Sequence, residues 1–132
     1  MISRSILGLL GLFHLVNGLW MLAAPNAWYW AVPGVNATGP INHHFITDIA
    51  LAFLASGAFM AIGFRSRAVA AAFALAGATW PALHAVFHVW EWLADGFPRS
   101  AQIWVSEAFG VVFIGFLGLA LAWSRARKEG VV

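Results

Sequence analysis

Apolar residues gather along this chain in four long runs, and charged residues mark where each run stops. No Lys, Arg, Asp or Glu lies between Arg4 and Asp48. The runs cover residues 6–23, 44–64, 68–90 and 103–123; only Asp48 interrupts the second and only Glu107 the fourth. Each is about 18–23 residues, the length that carries a helix across a hydrocarbon core of roughly 30 Å at about 1.5 Å per residue. Backbone groups in lipid must be satisfied internally, which restricts spanning segments to helices or closed barrels. The runs lack the two-residue alternation of barrel strands. The expectation is an all-α fold: a four-transmembrane-helix bundle in a single integral membrane domain, residues 1–132.

The first run follows Arg4 and ends near Ala23-Ala24-Pro25, an outline that a secretory signal peptide shares. His14 and Asn17 inside it favour a retained first membrane helix. Pro33-Gly34 and Gly39-Pro40 mark turns in the connection after it, where Trp28, Tyr29 and Trp30 read as an interfacial aromatic anchor. Arg65-Ser66-Arg67 is a link short enough to make the second and third spans antiparallel neighbours. Alanines in the third span and glycines in the first and fourth mark close helix contacts.

Composition turns the pattern into a statement about solvent. Hydrophobic residues make up 62% of the chain and charged residues 9%, against roughly 25% charged in a soluble domain. Such a surface needs the lipid bilayer as its partner, and seven Lys/Arg are too few for a nucleic-acid surface. Their distribution sets topology: Arg4, Arg65, Arg67, Arg125, Arg127 and Lys128 share one side of a four-span arrangement, and only Arg99 takes the other. The positive-inside rule therefore puts both termini in the cytoplasm, as expected of a multi-pass protein of a bacterial inner (cytoplasmic) membrane. The chain has no cysteine, which excludes disulfides, thiolate metal ligands, iron–sulfur clusters and thioether-linked haem.

Against this apolar background the ionisable groups stand out, because such groups inside a membrane mark functional sites. Ordered by depth, they fall into one layer in the outer half. His14 rises on the first span with Asn17 above it. His43 and His44 open the second span, with Asp48 below. His84 and His88 end the third, with Glu91 at the rim, and Glu107 lies one to two turns into the fourth. Residues four apart on a helix share a face, so His44 pairs with Asp48 and His84 with His88, the spacing of helical metal ligands. The metal-site candidates are His14, His44, Asp48, His84, His88 and Glu107, with Asn17, His43 and Glu91 as supporting residues. Imidazole and carboxylate donors suit zinc, iron, manganese or cupric copper. Pro81 removes one backbone bond and is placed to kink the third span below His84.

The chain also resembles the small four-helix membrane proteins grouped as DoxX-like. The likeness lies in a first span ending Asn17-Gly18-Leu19-Trp20 before Pro25 and Trp28, and in a second span opening Gly39-Pro40-Ile41-Asn42-His43-His44-Phe45 before Asp48. It implies the four-helix fold and a loose redox association, since some members look like subunits of quinone-linked sulfur oxidation. It carries over no catalytic residue.

Several functions are consistent with these residues. The first is a metal site serving redox chemistry, as in an oxidoreductase, or another metal-dependent reaction on quinone, lipid or some other membrane-soluble substrate. The second is a b-type haem or quinone-binding redox protein, the haem held by His14 or His44 facing His84 or His88. A third is His–carboxylate acid–base catalysis on a lipid. The last is a non-catalytic subunit of a homo-oligomer or larger membrane complex, its His–carboxylate network gluing the helices.

Overall fold

A computed structural model describes residues 2–132. Among them there is no strand; the elements are α1 (Ile2–Ala23), α2 (Pro25–Ala31), a 3₁₀ turn (Val35–Ala37), α3 (His43–Ile62), α4 (Ala68–Asp95), α5 (Ala101–Glu107) and α6 (Ile114–Lys128). A π-helical segment, Ala108–Phe113, joins α5 to α6, so Ala101–Lys128 forms one span. Four helices are long and apolar enough to cross a membrane: Ile2–Ala23, His43–Ile62, Ala68–Asp95 and Ala101–Lys128.

Local chemistry sets several of the ends. The Asn42 side chain accepts from the Phe45 amide and caps α3, satisfying one of the free donors of a first helical turn. Ser100 does the same for α5 through Ile103. Pro25 opens α2, where its missing N–H costs nothing. The third span extends to Asp95, beyond the end set by its apolar run, and its last turns carry Glu91 and Trp92, beside His88 and Glu107. It also continues through Pro81, which is buried.

The spans pack in chain order. α1 lies on α3, α3 on α4, and α4 on α6 and the π segment; α1 meets α6 only along a short stretch. Backbones approach closely where glycine allows it. A Cβ on Gly57 would stand 2.7 Å from the Gly11 carbonyl, and one on Gly77 2.7 Å from the Ser56 carbonyl. Gly115 lies against the carbonyl of Pro81, 2.6 Å from such a Cβ. At the end carrying both termini, Leu7, Leu10, Met60, Ala74, Ala78 and Ala122 form a core shared by all four spans. At the opposite, loop-bearing end, Met21, Tyr29, Ile46 and Ala50 form a second core from α1, α2 and α3 alone. α5 makes no comparable contact with α1 or α3. The bundle is therefore tied tightly at the terminal end and more openly at the loop end, where the polar residues lie.

Two features differ from expectation. Tyr29 is buried and donates to the Gly39 carbonyl at 2.6 Å, while Trp28 donates through Nε1 to Asn17 Oδ1 at 3.0 Å. These two rings fold the first loop back onto α1; only Trp30 of the trio is exposed. At the terminal end, Arg125 is buried, pairs with Glu129 at 2.8 Å and donates to the carbonyls of Arg65 and Arg67. A residue expected to serve only as a topology marker thus holds the α3–α4 loop in place.

Candidate functional site

A chain of rings crosses the loop-side half of the bundle. His14 of α1 is 2% exposed. Its ring packs edge-on to Phe13 and tilts against Phe53 of α3, both at 5.4 Å between centroids. Phe53 meets Trp80 of α4 edge-on at 4.8 Å. Trp80 stacks on His84, 5.2 Å away and 11° from parallel, as expected of residues one turn apart. His84 then meets His88 edge-on at 4.8 Å.

Carboxylates enter at the end of this chain. His88 Nδ1 lies 3.6 Å from Glu91 Oε2 and 3.7 Å from Glu107 Oε2, and all three side chains are at least partly buried. Trp92 Nε1 donates to Glu107 Oε2 at 2.7 Å. This bond ties Glu107 to α4, with His88 of the same helix beside it. The first loop covers it from above: a Cβ on Gly34 would come 3.1 Å from Ile103 and 3.6 Å from Glu107 Oε1. Gly34 has φ +95°, a conformation glycine adopts without steric penalty. Glu107 is also the last residue before the π segment. Single-turn π insertions in α-helices are frequent at functional sites.

The expected set of six therefore divides. His14, His84, His88 and Glu107 belong to the connected layer, with Glu91 beside them. The structure does not bring His44 and Asp48 there. Those two face each other at 3.4 Å on the outside of α3, with side chains 89% and 58% exposed. Among the described residues neither makes a hydrogen bond, ion pair or ring contact with the layer. His43 Nε2 sits 2.9 Å from Asn26 Oδ1, joining the start of α3 to α2. Asn17 supports Trp28 and, through Nδ2, Met21 Sδ at 3.8 Å. Among the described residues no group of three or more His, Asp or Glu side chains is disposed to hold a metal ion.

Two residues of the layer, Trp92 and Phe53, are not among the candidates drawn from the sequence; Phe53 has no polar atom to draw notice. Trp92 had a signal: it is four residues beyond His88 and so shares its face. Phe53 had none.

Polar satisfaction is incomplete in this layer. Both ring nitrogens of His14 and Nδ1 of His88 are buried without a hydrogen-bond partner in the protein. Most buried polar atoms are paired, and each exception calls for an explanation such as an ion or water. No protein-family model, curated protein or solved structure matches this sequence.

Proposed function

We propose that this integral membrane protein binds a transition-metal ion in the loop-side half of its bundle. The ligands assigned are His84, His88 and Glu107, with His14 facing them from α1. The observation that supports this reading is the set of buried imidazole nitrogens on His14 and His88 that lack a hydrogen-bond partner, that of His88 beside the Glu107 carboxylate. The assignment leaves out His44 and Asp48. Binding requires the side chains to close on the ion, with Glu107 rotating away from Trp92. Imidazole and carboxylate donors suit zinc, iron, manganese or cupric copper; iron or copper would supply redox chemistry there, and zinc a Lewis acid. The proposal includes cytoplasmic termini, a bacterial inner membrane and the DoxX-like resemblance, which rest on the distribution of basic residues and on the Asn17–Trp20 and Gly39–Asp48 segments.

Metal analysis of detergent-purified protein, before and after incubation with Zn²⁺, Fe²⁺, Mn²⁺ or Cu²⁺ and removal of excess, tests the reading. We expect about one ion per chain, lost in His88→Ala and in Glu107→Gln and retained in Asp48→Asn. Absence of stoichiometric metal in the folded, loaded protein sinks it. A second reading, a structural network in a non-catalytic subunit, is favoured by the Trp92–Glu107 bond. It expects no bound metal but a marked loss of thermal stability in Glu107→Gln.

A further inference from the structure

The terminal end of the bundle holds a feature that the polar layer does not involve. A cleft of about 530 Å³ opens between the start of α1 and the α3–α4 loop, lined by Arg4, Ser5, Phe64, Arg65, Ser66 and Arg67. Three arginines and two serines, brought from opposite ends of two helices, line one concave surface. Among the described residues none of the three arginines forms an ion pair with a carboxylate. Glu129, the only acidic side chain at this end among the described residues, is engaged with Arg125. Three positive charges on one cleft repel one another, and an anion between them removes that cost.

The cleft is also built. Phe64 packs on the first helix at Gly8, where a Cβ would lie 3.4 Å from its ring. The buried Arg125 donates to the backbone carbonyls of Arg65 and Arg67, which fixes the loop and leaves their side chains free to face a ligand. Around the cleft the surface turns apolar at once: Ile2, Leu9 and Phe64 are all more than half exposed. A ligand with an anionic head and an apolar body fits both surfaces. Basic pockets at the ends of membrane helices bind acidic lipid headgroups in this way, and guanidinium is the side chain best matched to phosphate geometry.

We infer that the cleft of Arg4, Ser5, Arg65, Ser66 and Arg67 is a binding site for the phosphate headgroup of an anionic phospholipid. The site is separate from the metal reading and stands or falls apart from it. General attraction of basic termini to an acidic leaflet is the competing account, and it makes no distinction among the basic residues of this end.

Native mass spectrometry of the full chain, released from detergent with phosphatidylglycerol or phosphatidylcholine of matched acyl chains, separates the two. One phosphatidylglycerol should be retained per chain, with phosphatidylcholine at least about tenfold weaker. Arg65→Gln/Arg67→Gln should weaken phosphatidylglycerol by at least about tenfold, on the order expected for two cationic contacts. Arg127→Gln/Lys128→Gln removes the same charge from the same end outside the cleft and should change it less than about twofold. Arg4→Gln, on the other wall and outside the loop, should weaken it severalfold, and it decides the matter if the loop variant does not fold. Equal retention of the two lipids, or equal weakening by the two double variants, overturns the site. Displacement of the lipid by inorganic phosphate at equimolar concentration overturns its assignment to a lipid and points to a soluble phosphate instead.

Discussion

Glu107 shows how a single acidic residue is accommodated in an apolar span. It accepts from the indole of Trp92 and lies beside His88, so a neighbouring helix supplies it with one hydrogen-bond donor. Hydrogen bonds between membrane helices contribute about 0.6 kcal/mol on average and up to about 1.7 kcal/mol. Trp92→Phe keeps most of the ring and removes the donor; it should lower the thermal midpoint in detergent by several degrees. Trp90→Phe, on a ring 59% exposed, should leave it nearly unchanged, and equal effects from the two would show that the indole bond contributes nothing. At this scale the sequence was informative about depth and about neighbours on one helix. The His84–His88 pairing and the position of Glu107 follow from counting residues along a span. It was less informative about azimuth. In a soluble helix, a polar face announces which side meets solvent; in a span whose lipid and core faces are both apolar, that signal vanishes. His44 and Asp48 were for that reason grouped with a layer from which the rotation of α3 separates them.

Between elements, glycine and alanine set the distances. α1 and α3 touch backbone to backbone at Gly11 and Gly57, and such close approach is how membrane helices associate when no hydrophobic effect drives them together. Gly57→Ala places a methyl group 2.7 Å from the Gly11 carbonyl and the Leu15 amide. It should lower the thermal midpoint or the yield of monodisperse protein. Gly110→Ala meets nothing within 4 Å and should leave both measures unchanged or slightly raised, since alanine favours helix by up to about 1 kcal/mol. An equal response at the two positions would sink the argument. The four spans and their order were legible because length and charge suffice to define them. The π segment was not: it depends on how the fourth span settles against α4, and no composition marks Ala108–Phe113. The first loop's fold was hidden for a similar reason, since Tyr29 and Trp28 look like interfacial anchors until Gly39 and Asn17 are brought beneath them.

On the scale of the whole molecule, charge asymmetry and packing asymmetry coincide. The terminal end carries six of the seven basic residues and the core shared by all four spans. The loop end carries the histidines, four of the five carboxylates and looser packing. Under the proposed orientation, which rests on the distribution of basic residues, the tight end would face the cytoplasm and the polar layer the opposite side. Because the chain has no cysteine, an introduced one is its single thiol for a labelling test. In an expressing bacterium, Asn36→Cys should react with an impermeant maleimide from outside, and Ser66→Cys only after the membrane is opened. The reverse pattern would invert the orientation.

Arg125 has a consequence in time as well as space. Its partners, the carbonyls of Arg65 and Arg67, emerge from the ribosome about sixty residues before it does. Throughout synthesis of α4 and α5, the turn between the second and third spans is left without its clasp. It closes only when the last helix enters the bilayer and delivers the guanidinium. The arginine therefore acts as a completion mark: resistance of that turn to protease should arise late and all at once, when the fourth span is in place, and not gradually as each helix inserts.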